Sequence, residues 1–332
     1  MNGVADVSAA LILQTAAGFL LLLGGAEMLV RGSVAIARRM EISTMVIGMT
    51  VVAFGTSAPE LIVSLQAALS GASGIAAGNI VGSNIANVLL IIGLTALCMP
   101  ITAQARPLVR DALIVVGASV LFVALMWSGS ISILEGGVLL LVFAVFMVTS
   151  YMRGLRGDAG ATTQSLEQEA AEMGELRAGR WLLWTVALAG LTGLCIGSSL
   201  LVEGGSGIAR LLGVSEAVIG LTMIALGTSL PELAASVAAS LHRHPDVVIG
   251  NVLGSNLFNM LFVGGMVAVA GPLAIDDKML ALDVWIMLAA TILFLPVLLG
   301  CRFGRGAGVL YLVLYGVYVG IQFRGAGGAL AG

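Results

Sequence analysis

Long apolar stretches follow one another along this chain, separated by short segments that hold most of the charged residues. A helix needs roughly 20 apolar residues to cross a hydrocarbon core about 30 Å thick. The pattern predicts about ten such transmembrane helices, at residues 9–30, 43–70, 74–98, 108–127, 131–152, 181–201, 214–240, 246–270, 280–300 and 307–323. We therefore predict an all-α, polytopic membrane protein.

The composition excludes several other classes of protein. Hydrophobic residues make up 59% of the 332 residues and charged residues 10%, with a mean hydropathy of +1.09. Soluble domains are about 45–50% apolar and about 25% charged. A core of this length could not hide so much apolar surface from water, which argues against a soluble enzyme, a nucleic-acid-binding protein or a secreted disulfide scaffold. The cysteines, Cys98, Cys195 and Cys301, are scattered without a CxxC pair, so no disulfide framework or zinc site is indicated.

One polar segment divides the chain nearly in half. The stretch from Arg153 to Arg180 contains nine charged residues, both ends included. A charge run of this kind is typical of a solvated linker, with a regulatory segment as the alternative. We predict a first repeat at 1–152, a cytoplasmic linker loop at 153–180 and a second repeat at 181–332.

The basic residues predict the orientation. If the N-terminus lies outside, twelve Lys and Arg residues fall in cytoplasmic segments and three in outer ones, in keeping with the positive-inside rule. The first residues lack the basic region of a signal peptide, so we expect the first apolar run to remain as a span. The prediction is a multi-pass protein of the cell (inner) membrane with both termini outside, or periplasmic.

The chain contains an internal duplication. VIGMTVVAFGTSAPEL at 46–61 matches VIGLTMIALGTSLPEL at 218–233, and GNIVGSNIAN at 78–87 matches GNVLGSNLFN at 250–259. Both matches have the same offset of 172 residues, and 22 of 48 positions are identical between 46–93 and 218–265. With about five helices in each half, the copies would have opposite orientations. Such inverted-topology repeats are typical of secondary transporters, with the substrate site near the midplane, although symmetric packing alone is the alternative.

Two acids lie deep in apolar segments at equivalent positions of the duplication, Glu60 and Glu232. A carboxylate at the bilayer centre costs at least about 2.5–3.5 kcal/mol, so it indicates a functional site. Two adjacent carboxylates would repel, and a bound cation would relieve that repulsion. Hard cations such as Ca²⁺ and Na⁺ prefer oxygen ligands. The duplicated segments offer further side-chain oxygens from Thr56, Ser57, Ser83, Asn87, Thr228, Ser229, Ser255 and Asn259.

Prolines directly precede both acids, at Pro59 and Pro231. Proline within a helix removes one backbone hydrogen bond. We therefore expect freed carbonyl groups that line an ion cavity, near Ala53, Thr56, Ala225 and Thr228.

The paired motifs GTSAPE with GNIVGSN, and GTSLPE with GNVLGSN, resemble the two α-repeats of the cation/Ca²⁺ exchanger superfamily, in particular its prokaryotic sodium/calcium exchangers. The resemblance implies ten helices in two inverted repeats of five, whose first and sixth helices slide past the ion-binding core. It also implies that Glu60 and Glu232 bind both Ca²⁺ and Na⁺, helped by the carbonyls of Thr56 and Thr228. Sodium would additionally use Ala53, Ser57, Ser83, Ala225, Ser229 and Ser255. Some relatives have Asp where this chain has Asn259, which matches its own Asn87 and leaves two formal negative charges in the site.

We predict a secondary-active Na⁺/Ca²⁺ antiporter, with Ca²⁺ extrusion driven by Na⁺ entry. A Ca²⁺/H⁺ or other cation/H⁺ antiporter on the same fold is the alternative, since two carboxylates could also carry protons. A channel would usually repeat its acids around a ring of subunits. An enzyme is not expected, because no nucleophile–base pair lies within a span. The expected partners are the transported ions and the lipid bilayer, with no cofactor, nucleic acid or obligate protein partner.

Overall fold

The computed structural model describes residues 2–40, 44–101, 108–155, 180–212 and 225–329, and these are almost entirely helical. The main helices are α1 (Asn2–Arg39), α2 (Gly48–Thr56), α3 (Ala58–Leu69), α4 (Ser73–Cys98), α5 (Val109–Met126), α6 (Ile133–Leu155), α7 (Arg180–Leu211), α8 (Leu230–Leu241), α9 (Pro245–Ala270), α10 (Met279–Leu298) and α11 (Arg305–Ala329). Short helical turns at Thr44–Ile47 and Ala225–Gly227 lead towards α2 and α8. Two strands, β1 (Ser130–Ile131) and β2 (Leu273–Ala274), pair antiparallel.

Seven helices in the described part of the chain are long and apolar enough to cross a membrane, and an eighth span results if α2 and α3 are counted together. The mostly helical, multi-span class is therefore confirmed. The count of ten stays a prediction, because two predicted spans are not among these eight. Helix α11, at the tenth predicted span, is not among the helices found long and apolar enough. Helix α8 is short, and residues 213–224, where the seventh predicted span begins, lie outside the described residues. Most of the predicted linker, residues 156–179, also lies outside the described residues.

The predicted second span, 43–70, is not one continuous helix. It bends by 46° between α2 and α3. Pro59 lies in the first turn of α3, where the missing N–H group costs no intrahelical bond. The bend therefore places Glu60 at the beginning of a helix rather than in the middle of one.

Helices α4 and α9 form the centre of the molecule, and α1 and α7 lie outside it. Of the most apolar segment in each helix, 78% of α4 and 83% of α9 is buried, against 22% of α1 and 28% of α7. A helix that is apolar all round belongs either in a core or against lipid. Here α4 and α9 lie in the core, and α1 and α7 present most of their surface outwards, where lipid would lie.

The outer helices α1 and α7 pack closely against each other through glycines. A Cβ atom added at Gly25 would lie 2.6 Å from the backbone nitrogen of Leu194, and one at Gly190 would lie 2.4 Å from that of Leu29. Gly18 and Gly197 face each other in the same way. Small residues allow membrane helices to approach at backbone contact, so α1 and α7 form one tightly packed antiparallel pair.

Several contacts between the two halves occur twice, and the residues of the two copies are related by the 172-residue offset. Ile101 and Phe303 exchange backbone hydrogen bonds of 2.9 and 2.8 Å, and the equivalent residues, Leu273 and Ile131, pair between β2 and β1. Ile101 precedes α5 and Ile131 follows it, so these contacts lie at opposite ends of an 18-residue helix, about 27 Å apart. This arrangement supports the prediction of two repeats with opposite orientation.

Candidate cation-binding site

The two acids occupy equivalent breaks in the helices. Ser57 precedes α3 with φ −84° and ψ 7°, and Ser229 precedes α8 with φ −88° and ψ 3°. In each case a proline and then a glutamate follow within the first helical turn. The first N–H groups of a helix have no intrahelical acceptor, and the positive end of the helix dipole favours an anion there. The GTSxPE segments thus fold into matching sites for a buried carboxylate.

Each carboxylate accepts a hydrogen bond from the other half of the molecule. Ser57 Oγ donates to Glu232 Oε1 at 2.6 Å, and Ser229 Oγ donates to Glu60 Oε1 at 3.3 Å. Both glutamates are 1% exposed. The expected convergence of the two acids is therefore seen in the structure, and the serines that follow each threonine interlock the two halves.

The second oxygen of each carboxylate has no hydrogen-bond partner within the described part of the chain, and it shares this property with six other buried side-chain oxygens. Six of these eight atoms form three pairs related by the 172-residue offset: Glu60 Oε2 and Glu232 Oε2, Ser83 Oγ and Ser255 Oγ, Asn87 Oδ1 and Asn259 Oδ1. The other two, Ser33 Oγ and Asn84 Oδ1, have no such counterpart. Buried polar atoms are normally hydrogen-bonded, and an unpaired one needs an explanation, such as a bound ion or water. The six atoms of the three pairs all belong to residues that the sequence predicts as cation ligands.

Asn87 and Asn259 lie in π-helical segments of the two central helices, Asn87–Ile92 in α4 and Phe258–Val263 in α9. Such segments interrupt the regular α-helix and occur frequently at functional sites. Asn87 Nδ2 donates to Asn256 Oδ1 at 3.0 Å. The equivalent amide, Asn259 Nδ2, finds no acceptor among the described residues. The two halves therefore differ here, and the Asn259 side chain has both of its polar atoms available.

The remaining predicted site residues are also placed by the structure. Thr56 and Thr228 are buried beside the two serines, and Ala53 is fully buried. The Ala53 carbonyl, however, accepts a hydrogen bond of 3.0 Å from the backbone N–H of Ser57. The expectation that the proline leaves this carbonyl without a backbone partner is therefore wrong. The reason is that Pro59 begins a new helix instead of interrupting an existing one. Ala225 begins a helical turn, but its side chain lies outside the description.

Four polar residues that were not predicted as ligands form hydrogen bonds with one another and with the backbone carbonyls of the two acids. Asn79 Nδ2 donates to Ser64 Oγ at 2.9 Å and to the Glu60 carbonyl at 3.3 Å. In the other half Asn251 makes the same bonds, of 2.9 and 3.3 Å, to Ser236 and the Glu232 carbonyl. The signal was present in the sequence, since all four residues are identical between the duplicated segments.

The donor set consists of two carboxylates and neutral oxygens. The described residues contain no group of three or more His, Cys, Asp or Glu side chains that could hold a metal ion. Transition metals favour imidazole and thiolate ligands, whereas Ca²⁺ takes six to eight oxygens. The arrangement suits a hard cation that enters and leaves, because few formal charges hold it.

Apolar spanning helices around a buried, duplicated set of unpaired oxygen atoms are typical of a membrane cation transporter. The chain belongs to the sodium/calcium exchanger protein family, whose model matches residues 10–152 and again 182–324. The resemblance seen in the motifs is thereby confirmed, and the protein is a prokaryotic cation/Ca²⁺ exchanger, that is, an antiporter.

Relatives and solved structures agree over nearly the full length. The inner membrane protein YrbG of Escherichia coli is 36% identical over 88% of this chain and 90% of its own. The sodium/calcium exchanger MaX1 of Methanosarcina acetivorans is 31% identical over 92% and 96%. A structure of the sodium-calcium exchanger NCX_Mj, soaked with zero Na⁺ and Ca²⁺, has a TM-score of 0.81 at 29% identity and covers 94% of this chain and 98% of that one.

Proposed function

We propose that this protein exchanges Na⁺ for Ca²⁺ by alternating access and that Na⁺ entry drives Ca²⁺ extrusion. The observation that carries the proposal is the set of six buried, unpartnered oxygens in three equivalent pairs. Their number meets the lower limit of Ca²⁺ coordination, and backbone carbonyls can complete it. The names of the relatives, MaX1 and NCX_Mj, support sodium and calcium as the exchanged ions.

In this proposal Glu60 and Glu232 balance the charge of one Ca²⁺. Ser83, Ser255, Asn87 and Asn259 supply neutral oxygens, and so do the carbonyls of Thr56 and Thr228. Sodium uses the same acids together with the hydroxyls of four serines, Ser57, Ser83, Ser229 and Ser255. The Ala225 carbonyl and the second lone pair of the Ala53 carbonyl, whose first lone pair accepts the Ser57 amide, complete the sodium ligands. These hydroxyls favour Na⁺ over H⁺ as the coupling ion, because a pure proton carrier would not need them.

The deciding experiment measures Ca²⁺ flux in proteoliposomes of the purified protein. We expect an outward Na⁺ gradient to drive Ca²⁺ uptake, and an imposed pH gradient without Na⁺ to drive none. Flux that ignores Na⁺ and follows the pH gradient would instead establish the Ca²⁺/H⁺ alternative. Acidic medium should inhibit in both cases, because protons compete for the same two carboxylates, so acid inhibition alone does not discriminate.

The same vesicles test the charge count. One Ca²⁺ neutralises the two carboxylates, whereas more than two Na⁺ leave the loaded site positive. Each net charge moved is worth about 2.3 kcal/mol per 100 mV. We therefore expect the exchange rate to depend on membrane potential, with the voltage dependence in the Na⁺-loaded step. A rate that is unchanged when the potential is clamped at several values would contradict this charge count.

We also propose that the protein lies in the inner membrane with both termini outside and the 153–180 loop in the cytoplasm. Single cysteines introduced at Ser165, Asn2 and Gly327 test this in a background without the three native cysteines. The Ser165 label should react only from the cytoplasmic side and the two terminal labels only from outside. Labelling of the termini on opposite sides would contradict two inverted repeats of five spans. Termini on opposite sides require an odd total number of spans, whereas two repeats of five give ten.

A further inference from the structure

Two asparagines behind the acids bind to both halves of the molecule. Asn79, on α4, holds the first half through its bonds to Ser64 and to the Glu60 carbonyl. Its amide oxygen faces the second half, because Thr228 Oγ1 donates to Asn79 Oδ1 at 3.4 Å. In the opposite sense Thr56 Oγ1 lies 3.5 Å from Asn251 Oδ1 and shares its one hydrogen between that oxygen and the Ala53 carbonyl at 3.4 Å. Each amide thus donates to its own half and accepts from the other.

These contacts complete a closed series of hydrogen bonds around each acid, which we call a hydrogen-bond loop. The residue after Thr228 is Ser229, which donates to the Glu60 carboxylate. The loop therefore runs from Glu60 through Asn79 to Thr228 and Ser229, and back to Glu60. Each loop contains the acid of one half and the Thr-Ser pair of the other.

A second loop has the same form around the other acid. It runs from Glu232 through Asn251 to Thr56 and Ser57, and back to Glu232. The 172-residue offset relates every member of the two loops. A contact that served packing alone would not need to recur in both halves with the same six atoms in the same roles.

Resting on the proposed function, we propose that Asn79 and Asn251 are positioning residues that set the spacing between each acid and the Thr-Ser pair of the opposite half. That spacing determines the size of the cation site, and with it the affinity for Ca²⁺ and the preference for Ca²⁺ over Na⁺. The asparagines do not bind the ion. The lone pair of an amide nitrogen is delocalised into the carbonyl group, so this nitrogen acts only as a donor, and the amide oxygens face the threonine hydroxyls.

The chemistry at this position requires an amide. An amide has two N–H donors and a carbonyl acceptor on one short side chain, so it can satisfy the serine, the glutamate carbonyl and the threonine at once. Leucine has a similar volume and offers none of these bonds. Groups that orient metal ligands typically change metal affinity 10–100-fold when they are removed, although they do not touch the metal.

The test compares Asn79→Leu and Asn251→Leu with the wild-type protein in proteoliposomes and in detergent. We expect the apparent KM for Ca²⁺ in Na⁺-driven uptake, and the Kd for Ca²⁺ from calorimetry, to rise about 10-fold or more in each variant. The ratio of Ca²⁺ to Na⁺ affinity should change as well. By symmetry the two variants should have similar effects.

Ser119→Ala is the matched control. Ser119 is fully buried and shares a hydrogen bond of 3.2 Å with Thr291, its equivalent in the other half, outside the two loops. We expect this variant to keep the wild-type KM, Kd and ion preference, even if less folded protein is recovered. A KM and Kd within 2-fold of wild type in both asparagine variants would overturn the proposal, because a purely structural residue changes only the amount of active protein.

A milder variant covers the case in which the leucine variants do not fold. Ser64→Ala removes the 2.9 Å bond of Asn79 and leaves the asparagine in place. A rise of a few-fold in the Kd for Ca²⁺ supports the proposal, and an unchanged Kd overturns it. Because the Kd is measured without transport, a wild-type protein that binds Ca²⁺ but shows no Na⁺-driven flux would refute the proposed function and leave this test intact.

Discussion

Glu60→Gln and Glu232→Gln are each expected to abolish Ca²⁺ transport while leaving a folded, membrane-inserted protein. Glutamine keeps the shape and one carbonyl oxygen of glutamate, but it loses the charge that balances Ca²⁺. Both side chains are almost completely buried, where an unbalanced ionic charge costs several kcal/mol. Because each 1.4 kcal/mol is a factor of ten, the loss of Ca²⁺ affinity should be at least about 100-fold. Uptake of radioactive Ca²⁺ into proteoliposomes measures it directly.

The control for this prediction is the same substitution at a partly exposed acid far along the chain from both site acids. Glu135 lies in the first turn of α6, where its Oε2 accepts hydrogen bonds of 2.7 Å from the backbone N–H and the side-chain hydroxyl of Ser132. Glutamine can replace glutamate in such a capping box, so Glu135→Gln should transport Ca²⁺ at the wild-type rate. Near-normal uptake by either site variant would exclude a two-carboxylate Ca²⁺ site.

Gly25→Ala and Gly190→Ala should separate α1 from α7, lower the unfolding temperature in detergent and remove most of the transport activity. The added methyl group would lie 2.6 Å from the Leu194 nitrogen or 2.4 Å from the Leu29 nitrogen, and a backbone atom cannot turn away as a side chain can. Overpacking typically costs 1–3 kcal/mol, and we expect at least about 2 kcal/mol here. Thermal unfolding and Ca²⁺ flux should be measured on the same preparations.

Gly24 provides a control one residue away on the same helix. A Cβ atom added there meets nothing within 4 Å, so Gly24→Ala should keep wild-type activity and an equal or higher unfolding temperature. Alanine is also the better helix former, by about 1 kcal/mol. If Gly24→Ala and Gly25→Ala behaved alike, the close packing of α1 against α7 could not be what the glycines provide.

Much of this protein follows from local pattern alone. Membrane insertion follows from the high apolar content of the chain. Each apolar run of sufficient length shows by itself the approximate position of one span. The duplication gives more, because an identical Thr-Ser-x-Pro-Glu segment at one offset of 172 residues identifies Glu60 and Glu232 as a pair. Most ligand candidates follow from the same comparison, since their oxygens recur in both copies.

Other features depend on how distant segments pack and have no local signature. The proline at position 59 predicts a break, but only the structure shows that a new helix begins there and that the Ala53 carbonyl keeps its hydrogen bond. The sequence likewise gives no sign that Ser57 bonds to the acid of the opposite half.

The proposed roles of Asn79 and Asn251 likewise rest on packing. Both lie in the duplicated segments beside the ligand candidates, and a sequence comparison ranks them no differently from Ser83 or Asn87. The direction in which each side chain points depends on the rotation of α4 and α9 about their axes. That rotation is determined by packing against the other half. The sequence therefore determined which oxygen-bearing residues recur as candidates to bind a cation. The tertiary structure decided which of their oxygens are left without a partner and which side chains bond to the opposite half, because both depend on how distant helices pack.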